Sequence, residues 1–353
     1  MIDWTKSMQQ TFEYYIVDPV TWADTKKLDN IKSSSISWDS EVETLGSASI
    51  DITESVGECY IRIYMIASQN GVTQKIPFGT FLVQTPSSSF NGKIRNVSMD
   101  AYTPLLELKE NQPPIGYSAL KDENIMEKVY MITRENLRAP VVETVCSDTL
   151  TGDFVAEPEE KWLTYLKDLL ALAKHEIGLD EMGRVLFAPK QDLKSLQPVW
   201  TFNDDNSSIL SPDITMQHDL YGIPNVVEVI YSRGKDYFYA RVVNDDPNSP
   251  ISTINRGREI VYRETNPDMV GTPTQMEIDE YANRLLREVS SIEYTISYSH
   301  GYCPVRVGDC IRLNYKSAGL IDIKAKVISQ NITCKPGCTV SEKAVFTTNL
   351  WRW

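Results

Sequence analysis

From Tyr294 to Ile332 the chain alternates apolar and polar residues with a period of two. Tyr294, Ile296, Tyr298 and His300 fall on one face, and Thr295, Ser297 and Ser299 on the other, the pattern of a half-buried strand. Gly301 and Pro304 interrupt the run, and Val307-Gly308-Asp309 signals a turn. A second strand alternates Ile311, Leu313 and Tyr315 with Cys310, Arg312 and Asn314. After a turn at Ser317-Ala318-Gly319, a third alternates Ile321, Ile323, Ala325 and Val327 with Asp322, Lys324 and Lys326. Beyond Val327 the apolar phase moves to Ile328 and Ile332, which predicts a bulge or a corner. Short alternating strands with small turns predict a curled antiparallel sheet, most simply a small barrel.

The first 112 residues repeat this style. Strands are predicted at Glu13–Val17, at Ser33–Asp39 and through Ala48, Ile50 and Ile52. From Tyr60 to Ile66, Tyr60, Arg62, Tyr64 and Ile66 lie opposite Ile61, Ile63 and Met65. Asn70-Gly71 is a strong hairpin signal leading into Lys75–Val83. Asn91-Gly92 precedes another alternating run, Ile94–Ala101, and Thr103–Leu108 reads as a helical turn. Strands and turns at this spacing predict a second barrel or sandwich.

The stretch between them changes character after Pro113-Pro114. A helix is predicted over Asp122–Ile132, with Ile125, Met126, Val129 and Ile132 on one side. The clearest helix covers residues 159–177, where Trp162, Tyr165, Leu166, Leu169, Leu170, Ala173 and Ile177 recur at helical spacing and Gly178 ends the run. Its stripe reads as an amphipathic helix covering a sheet, and His175 near its end as a solvated or dipole-facing residue. Glu181–Arg184 turns into a strand at Val185–Ala188. Val226–Tyr231 is a strand, with further ones at Tyr237–Val243 and Ile260–Tyr262. A helix over 274–290 is capped by Thr274 with Glu277 three residues on, and carries Ile278, Tyr281, Ala282, Leu285 and Val289 as its stripe. The expected fold is α+β and mainly β. Two small antiparallel β-barrel domains, 1–112 and 210–235 with 290–353, flank a mixed α/β middle region of 113–209 and 236–289.

Length and composition fit this picture. A chain of 353 residues is long for one core, and 42% apolar residues with 18 tyrosines are ample for a folded protein. No window approaches eighteen uninterrupted apolar residues, and MIDWTKSMQQ has no basic-then-apolar signal pattern. The expectation is a protein neither membrane-embedded nor exported by the usual route. A net charge of −13 with scattered basic residues argues against sequence-specific nucleic-acid binding and against grip on phosphates.

Candidate chemistry is sparse. Cys59 and Cys146 are isolated, whereas Cys303, Cys310, Cys334 and Cys338 gather near the C-terminus. Their intervals of seven and four residues do not match common zinc pairs, so we read them as structural thiols rather than a metal site. Asp245–Pro250 lacks the glycine and distal glutamate of a calcium loop. There is no phosphate-binding glycine loop, nucleophile elbow or His-Glu-x-x-His helix. His175, His218 and His300 lie far apart, and pairs such as Asp204-Asp205 and Glu159-Glu160 follow from acidity. We therefore read a non-enzyme with no catalytic, cofactor-binding or metal residues and no cofactor.

Three stretches carry a resemblance. Ile76–Val83, Val97–Leu106 and Ser299–Asp309 resemble segments of phage tail hub proteins. These are the baseplate hub of contractile-tailed phages, its counterpart in PBSX-like prophages and tailocins, and the hub half of VgrG-type spike proteins. Where that family carries an apolar residue after Gly-Asp, this chain has Cys310. The resemblance implies two related barrels beside an α/β region, and a homotrimer whose six barrels make a pseudo-sixfold ring. Such a ring joins a sixfold tail tube to a threefold central spike and lets DNA pass. Implied partners are the tail tube or tube-initiator protein, the central spike, baseplate wedge proteins and the tape measure protein. The implied location is the tail baseplate of a virion or tailocin particle assembled in the host cytoplasm. Three chains at −13 each would give an acidic lumen along which DNA slides. Because Trp353 follows soon after the second barrel, any lytic or host-binding extension is expected on a separate protein. Two alternatives stay open: a tail-tip protein of a non-contractile phage, and a protein that binds or degrades cell-wall polysaccharide.

Overall fold

The computed structural model describes residues 2–348 except 55, 91, 93, 94, 192, 194, 219, 234, 268–272 and 291. Asn91 of the predicted second turn, Ile94 at the head of the run after it, and Trp353 lie outside the described residues. The fold is mainly β, with 46% strand against 15% helix. Two compact units are present. One holds the residues up to Ile214 together with Ser297–Ala344, and the other holds Thr215–Ile296 with the residues after Ala344.

The first unit begins with seven strands: β1 (Gln9–Val17), β2 (Asp24–Leu28), β3 (Ile31–Asp39), β4 (Gly46–Ile52), β5 (Tyr60–Gln69), β6 (Val72–Phe90) and β7 (Arg95–Tyr102). Antiparallel pairing orders them β2-β1-β5-β6-β7-β4-β3. The Asn70-Gly71 turn joins β5 to β6 as predicted, with both residues at positive φ. Alternate residues such as Ile50, Ile61, Ile63, Phe81 and Met99 share one apolar core. β5 departs from the predicted alternation, because Tyr60 to Met65 are all buried. One face of β5 meets the apolar core and the other meets the turn at Met182, described below.

Next come α1 (Leu106–Glu110), the short pair β8 (Ser118–Ala119) and β9 (Phe154–Val155), α2 (Ile125–Asn136), α3 (Trp162–Leu172), the hairpin β10 (His175–Leu179) with β11 (Val185–Pro189), and β12 (Trp200–Asn203). The side chain of Asn124 caps α2 by accepting from Glu127 N. α3 buries Trp162, Leu163, Tyr165, Leu166, Leu169 and Leu170 in a second core, each worth about 1.5–3 kcal/mol of apolar burial. Here the prediction needs correction. The helix stops at Leu172, not at Gly178, since Lys174 takes a left-handed φ of 55° and the chain turns into β10. His175 is consequently buried on a strand, with Nδ1 2.6 Å from Ala173 O, and is not a solvated helix-end residue.

The second unit contains β13 (Thr215–His218), β14 (Val226–Arg233), β15 (Asp236–Val243), α4 (Thr253–Arg256), β16 (Val261–Thr265) and α5 (Gln275–Val289). The sequence groups Val226–Tyr231 with residues 290–353. In the structure that strand is instead the centre of a three-stranded sheet, antiparallel to β15 and parallel to β16. α5 carries the predicted Thr274–Glu277 capping box and packs Ile278, Ala282, Leu285 and Leu286 against Val227, Val229 and Tyr231. Local alternation could not reveal this, because alternation sets which face of a strand is buried and not which strands it pairs with.

The last strands are β17 (Ile292–Gly301), β18 (Cys310–Tyr315), β19 (Leu320–Thr333) and β20 (Thr339–Thr348). Ile296, Tyr298 and His300 are buried on one face of β17 as predicted. In β19 the left-handed φ of 54° at Asp322 shifts the register against β18. Leu320 therefore points inward and Ile321 is exposed, the reverse of the sequence alternation. Past Val327 the same strand leaves β18 and pairs with β3 from Ser329 to Thr333, which is the corner that the phase change predicts. Hydrogen bonding thus runs without a break from the C-terminal strands into the N-terminal sheet. Among the described residues no pairing closes either half into a ring.

Candidate functional site

All the residues of the site belong to the first unit. Behind β5 lies a buried polar knot built on Arg62, whose side chain is 1% exposed. Its Nε donates to Thr80 Oγ1 at 2.8 Å, Nη1 to Asp24 Oδ1 at 2.7 Å, and Nη2 to the carbonyls of Trp22 and Met182 at 3.2 Å each. Trp22 Nε1 and Thr80 Oγ1 also donate to Met182 O, at 2.7 and 2.9 Å. One carbonyl in the turn between β10 and β11 therefore accepts three hydrogen bonds. Tyr64 donates to the other oxygen of Asp24 at 2.7 Å, and burial pushes this phenol up to about 12.

The turn that reaches into this knot is closed by Asp180. Its carboxylate accepts from Arg184 N at 2.8 Å and Nε at 2.6 Å. Gly183 sits at a left-handed φ of 76°, and a Cβ there would lie 2.7 Å from Thr80 Cβ. Only glycine fits both the backbone and the space.

A second knot joins β17, β19, β20 and the loop after β17. Tyr298 OH and Gln330 Nε2 both donate to the Glu342 carboxylate, and Gln330 Nε2 also reaches Val305 O at 2.9 Å. His300 Nε2 lies 3.2 Å from Glu342 Oε1, near enough for an ion pair but without aligned hydrogen-bond geometry. Both side chains are fully buried. His300 Nδ1 stands 2.6 Å from Gly301 O; a carbonyl can only accept, so Nδ1 carries the proton. Burial and the Glu342 charge hold the Tyr298 phenol well above its ordinary range.

Cys303 Sγ lies 3.8 Å from His300 Nδ1, which gives a cysteine, histidine and glutamate in sequence. The three do not form a nucleophilic centre. The thiol is buried and pushed up by that burial, and Nδ1 faces Gly301 O, whereas a reactive thiolate needs an electropositive, accessible setting.

Between the knots opens a cleft of about 350 Å³. Trp4, Trp38, Phe78 and Tyr302 form an aromatic wall, with Tyr302 4.9 Å from Phe78 and 5.2 Å from Trp4 between ring centres. Lys75, Asp180, Glu181 and Arg306 stand at the rim, and Glu181 pairs with Arg306. Both knots support the cleft from behind. Met182 is pinned beside Glu181, and Gln330 lines the cleft while holding Val305 and Glu342.

The four C-terminal cysteines do not gather at one site. Cys303 joins the second knot and Cys310 lies on β18, while Cys334 and Cys338 enter the core under the N-terminal sheet. Burial raises the thiol of Cys334 to about 11. All six cysteines are free, and among the described residues no group of three or more His, Cys, Asp or Glu is placed to hold a metal. His218 packs on Tyr294 at 5.0 Å, remote in sequence from the other histidines. No helix among the described residues is long and apolar enough to cross a membrane. Sequence reasoning placed Arg62 on a strand without giving it a role, and did not name Glu342. The available signal for Arg62 was a lone charge in the run Tyr60–Gln69, since a charge inside an otherwise apolar strand needs partners.

Over essentially its whole length the chain has the fold of phage tail proteins. It matches a tail protein from Neisseria meningitidis with a TM-score of 0.64 at 12% identity, covering 95% of this chain and 97% of that one. A 43 kDa prophage tail protein from Shewanella oneidensis matches at 0.60 and 9% identity, over 94% and 97% of the two chains. A chain of the Francisella PdpA–VgrG complex matches at 0.56 and 8% identity, over 96% of this chain and 53% of that one. No protein-family profile matches the sequence, and no curated protein does.

Proposed function

We propose that the protein is a structural component of a phage or phage-like tail, the hub at the centre of its baseplate. The observation that carries this reading is the two-way coverage of the fold match: tail proteins of similar length are matched from end to end. In this reading the N-terminal strands of residues 1–112 and the C-terminal strands around β17–β20 act as two curled, barrel-like modules. Three copies close a pseudo-sixfold ring, with six similar faces toward a sixfold tube and three identical ones toward a threefold spike. Its partners are the tube or tube-initiator protein, the central spike, the baseplate wedge proteins and the tape measure protein. It resides in the virion or tailocin particle after assembly in the host cytoplasm. DNA passes through a lumen kept acidic by the net charge of −13 per chain. The protein is not an enzyme in this reading, and the buried Cys303–His300–Glu342 set supports that view.

Negative-stain electron microscopy of the purified chain tests the proposal. Class averages are expected to show threefold rings with a central hole. Twofold particles would overturn the ring.

A further inference from the structure

We propose that the cleft between the two knots is a saccharide-binding site for a neutral hexopyranose oligosaccharide, a role beyond that of a tail hub. Four features of the cleft support this. Its volume of about 350 Å³ falls within the ordinary range of ligand sites, which are mostly apolar with a few placed polar groups. Trp4, Trp38 and Tyr302 offer flat apolar surface of the kind that covers the C–H face of a pyranose ring. At the rim stand two cations, Lys75 and Arg306, and two carboxylates, Asp180 and Glu181. Glu181 pairs with Arg306, Asp180 with Arg184 and Lys75 with Glu13, so the charges cancel pair by pair and neither an anion nor a cation is favoured. A neutral ligand bearing hydroxyls remains, because each hydroxyl both donates and accepts.

Rigidity is the fourth feature. Asp180 is engaged by Arg184, and Met182 O is held by Arg62, Thr80 and Trp22. Glu181 lies between these two anchored residues. On the opposite wall Gln330 is fixed by Val305 O and Glu342. A cleft whose walls are already ordered loses little freedom on binding, which makes weak stacking and hydroxyl contacts sufficient for a measurable affinity.

The test is calorimetric titration of the full chain with chitotetraose and, separately, maltotetraose, with tryptophan fluorescence followed in parallel. Saturable binding of either, weakened about tenfold or more by Trp4→Ala and by Glu181→Ala, is expected. Tyr237→Ala, in the other unit, should leave binding unchanged. Thermal melts of each variant separate lost binding from lost folding, and Trp4→Phe should retain part of the affinity if the Ala variant melts early. No heat and no fluorescence change with either sugar up to about 10 mM, past the range of a weak site, would overturn the proposal. Binding that survives both substitutions would overturn it equally. Ring symmetry and sugar binding are read by different instruments, so the failure of either leaves the other standing.

Discussion

Arg62 sits among acceptors that are mostly neutral, with one carboxylate, Asp24, at the edge where its side chain is 25% exposed. His300 instead meets its carboxylate, Glu342, where neither side chain touches solvent. A guanidinium cannot lose its charge, so the first knot must supply oxygens to every nitrogen at any ordinary pH. The second knot instead gathers its donors around one acceptor, because Tyr298 OH and Gln330 Nε2 both donate to the Glu342 carboxylate. The first knot is therefore a clamp on the Met182 turn built around one donor, and the second is a joint among three strands and a loop built around one acceptor. A buried charge needs partners in both cases, but only the clamp depends on one residue type.

Substitutions can break this contrast. Arg62→Leu should have the largest effect, about 3–5 kcal/mol of lost stability, because Met182 O, Thr80 and Asp24 lose a shared donor; urea unfolding of the first unit checks it. Arg62→Lys should recover little, since an ammonium cannot reproduce the fork. Glu342→Ala should cost about 3 kcal/mol, whereas Glu342→Gln should cost only about 1–2 kcal/mol, because the amide oxygen still accepts from Tyr298. Equal losses for the Ala and Gln variants would show that the second knot depends on charge as strictly as the first. Gly183→Ala should cost about 1–3 kcal/mol through its positive φ and the approach to Thr80, as read by the same urea unfolding.

The smallest effect concerns Asp309, beside the second knot. Burial raises its carboxyl above the ordinary 3.8. The folded state then holds the proton more tightly than the unfolded chain. Its stabilising contribution is complete below pH 3.8 and is lost as pH rises through the raised value. Asp309→Asn should accordingly gain on the parent protein as pH climbs from 3.8 toward neutrality, as read from melting temperatures across that range. A gain on acidification instead would reverse the sign and refute the assignment.

Much of the β architecture was legible because alternation is local. β1, β3, β4, β5 and β17, the hairpin at Asn70-Gly71, and the capped helix α5 all carry their signals within a few residues. Partner choice was not legible. Nothing within Val226–Tyr231 distinguishes pairing with β15 and β16 from pairing with the C-terminal strands, and β2, with four exposed residues in five, carries no periodic signal. His175 failed for a different reason. A helical stripe continued in sequence through Ala173 and Ile177, but the left-handed backbone at Lys174 turned Ile177 into a strand residue. The knots were invisible because their members come from segments far apart: Arg62 and Met182, or His300, Gln330 and Glu342. Long-range polar pairing leaves no period in the sequence.

The most direct measurement on the tail-hub reading is the native mass of the intact chain by mass spectrometry across a range of concentrations. The reading predicts a species of three chains, three times 40.1 kDa, growing with concentration at the expense of the monomer. Chains that remain single or form only pairs up to the highest soluble concentration would contradict it.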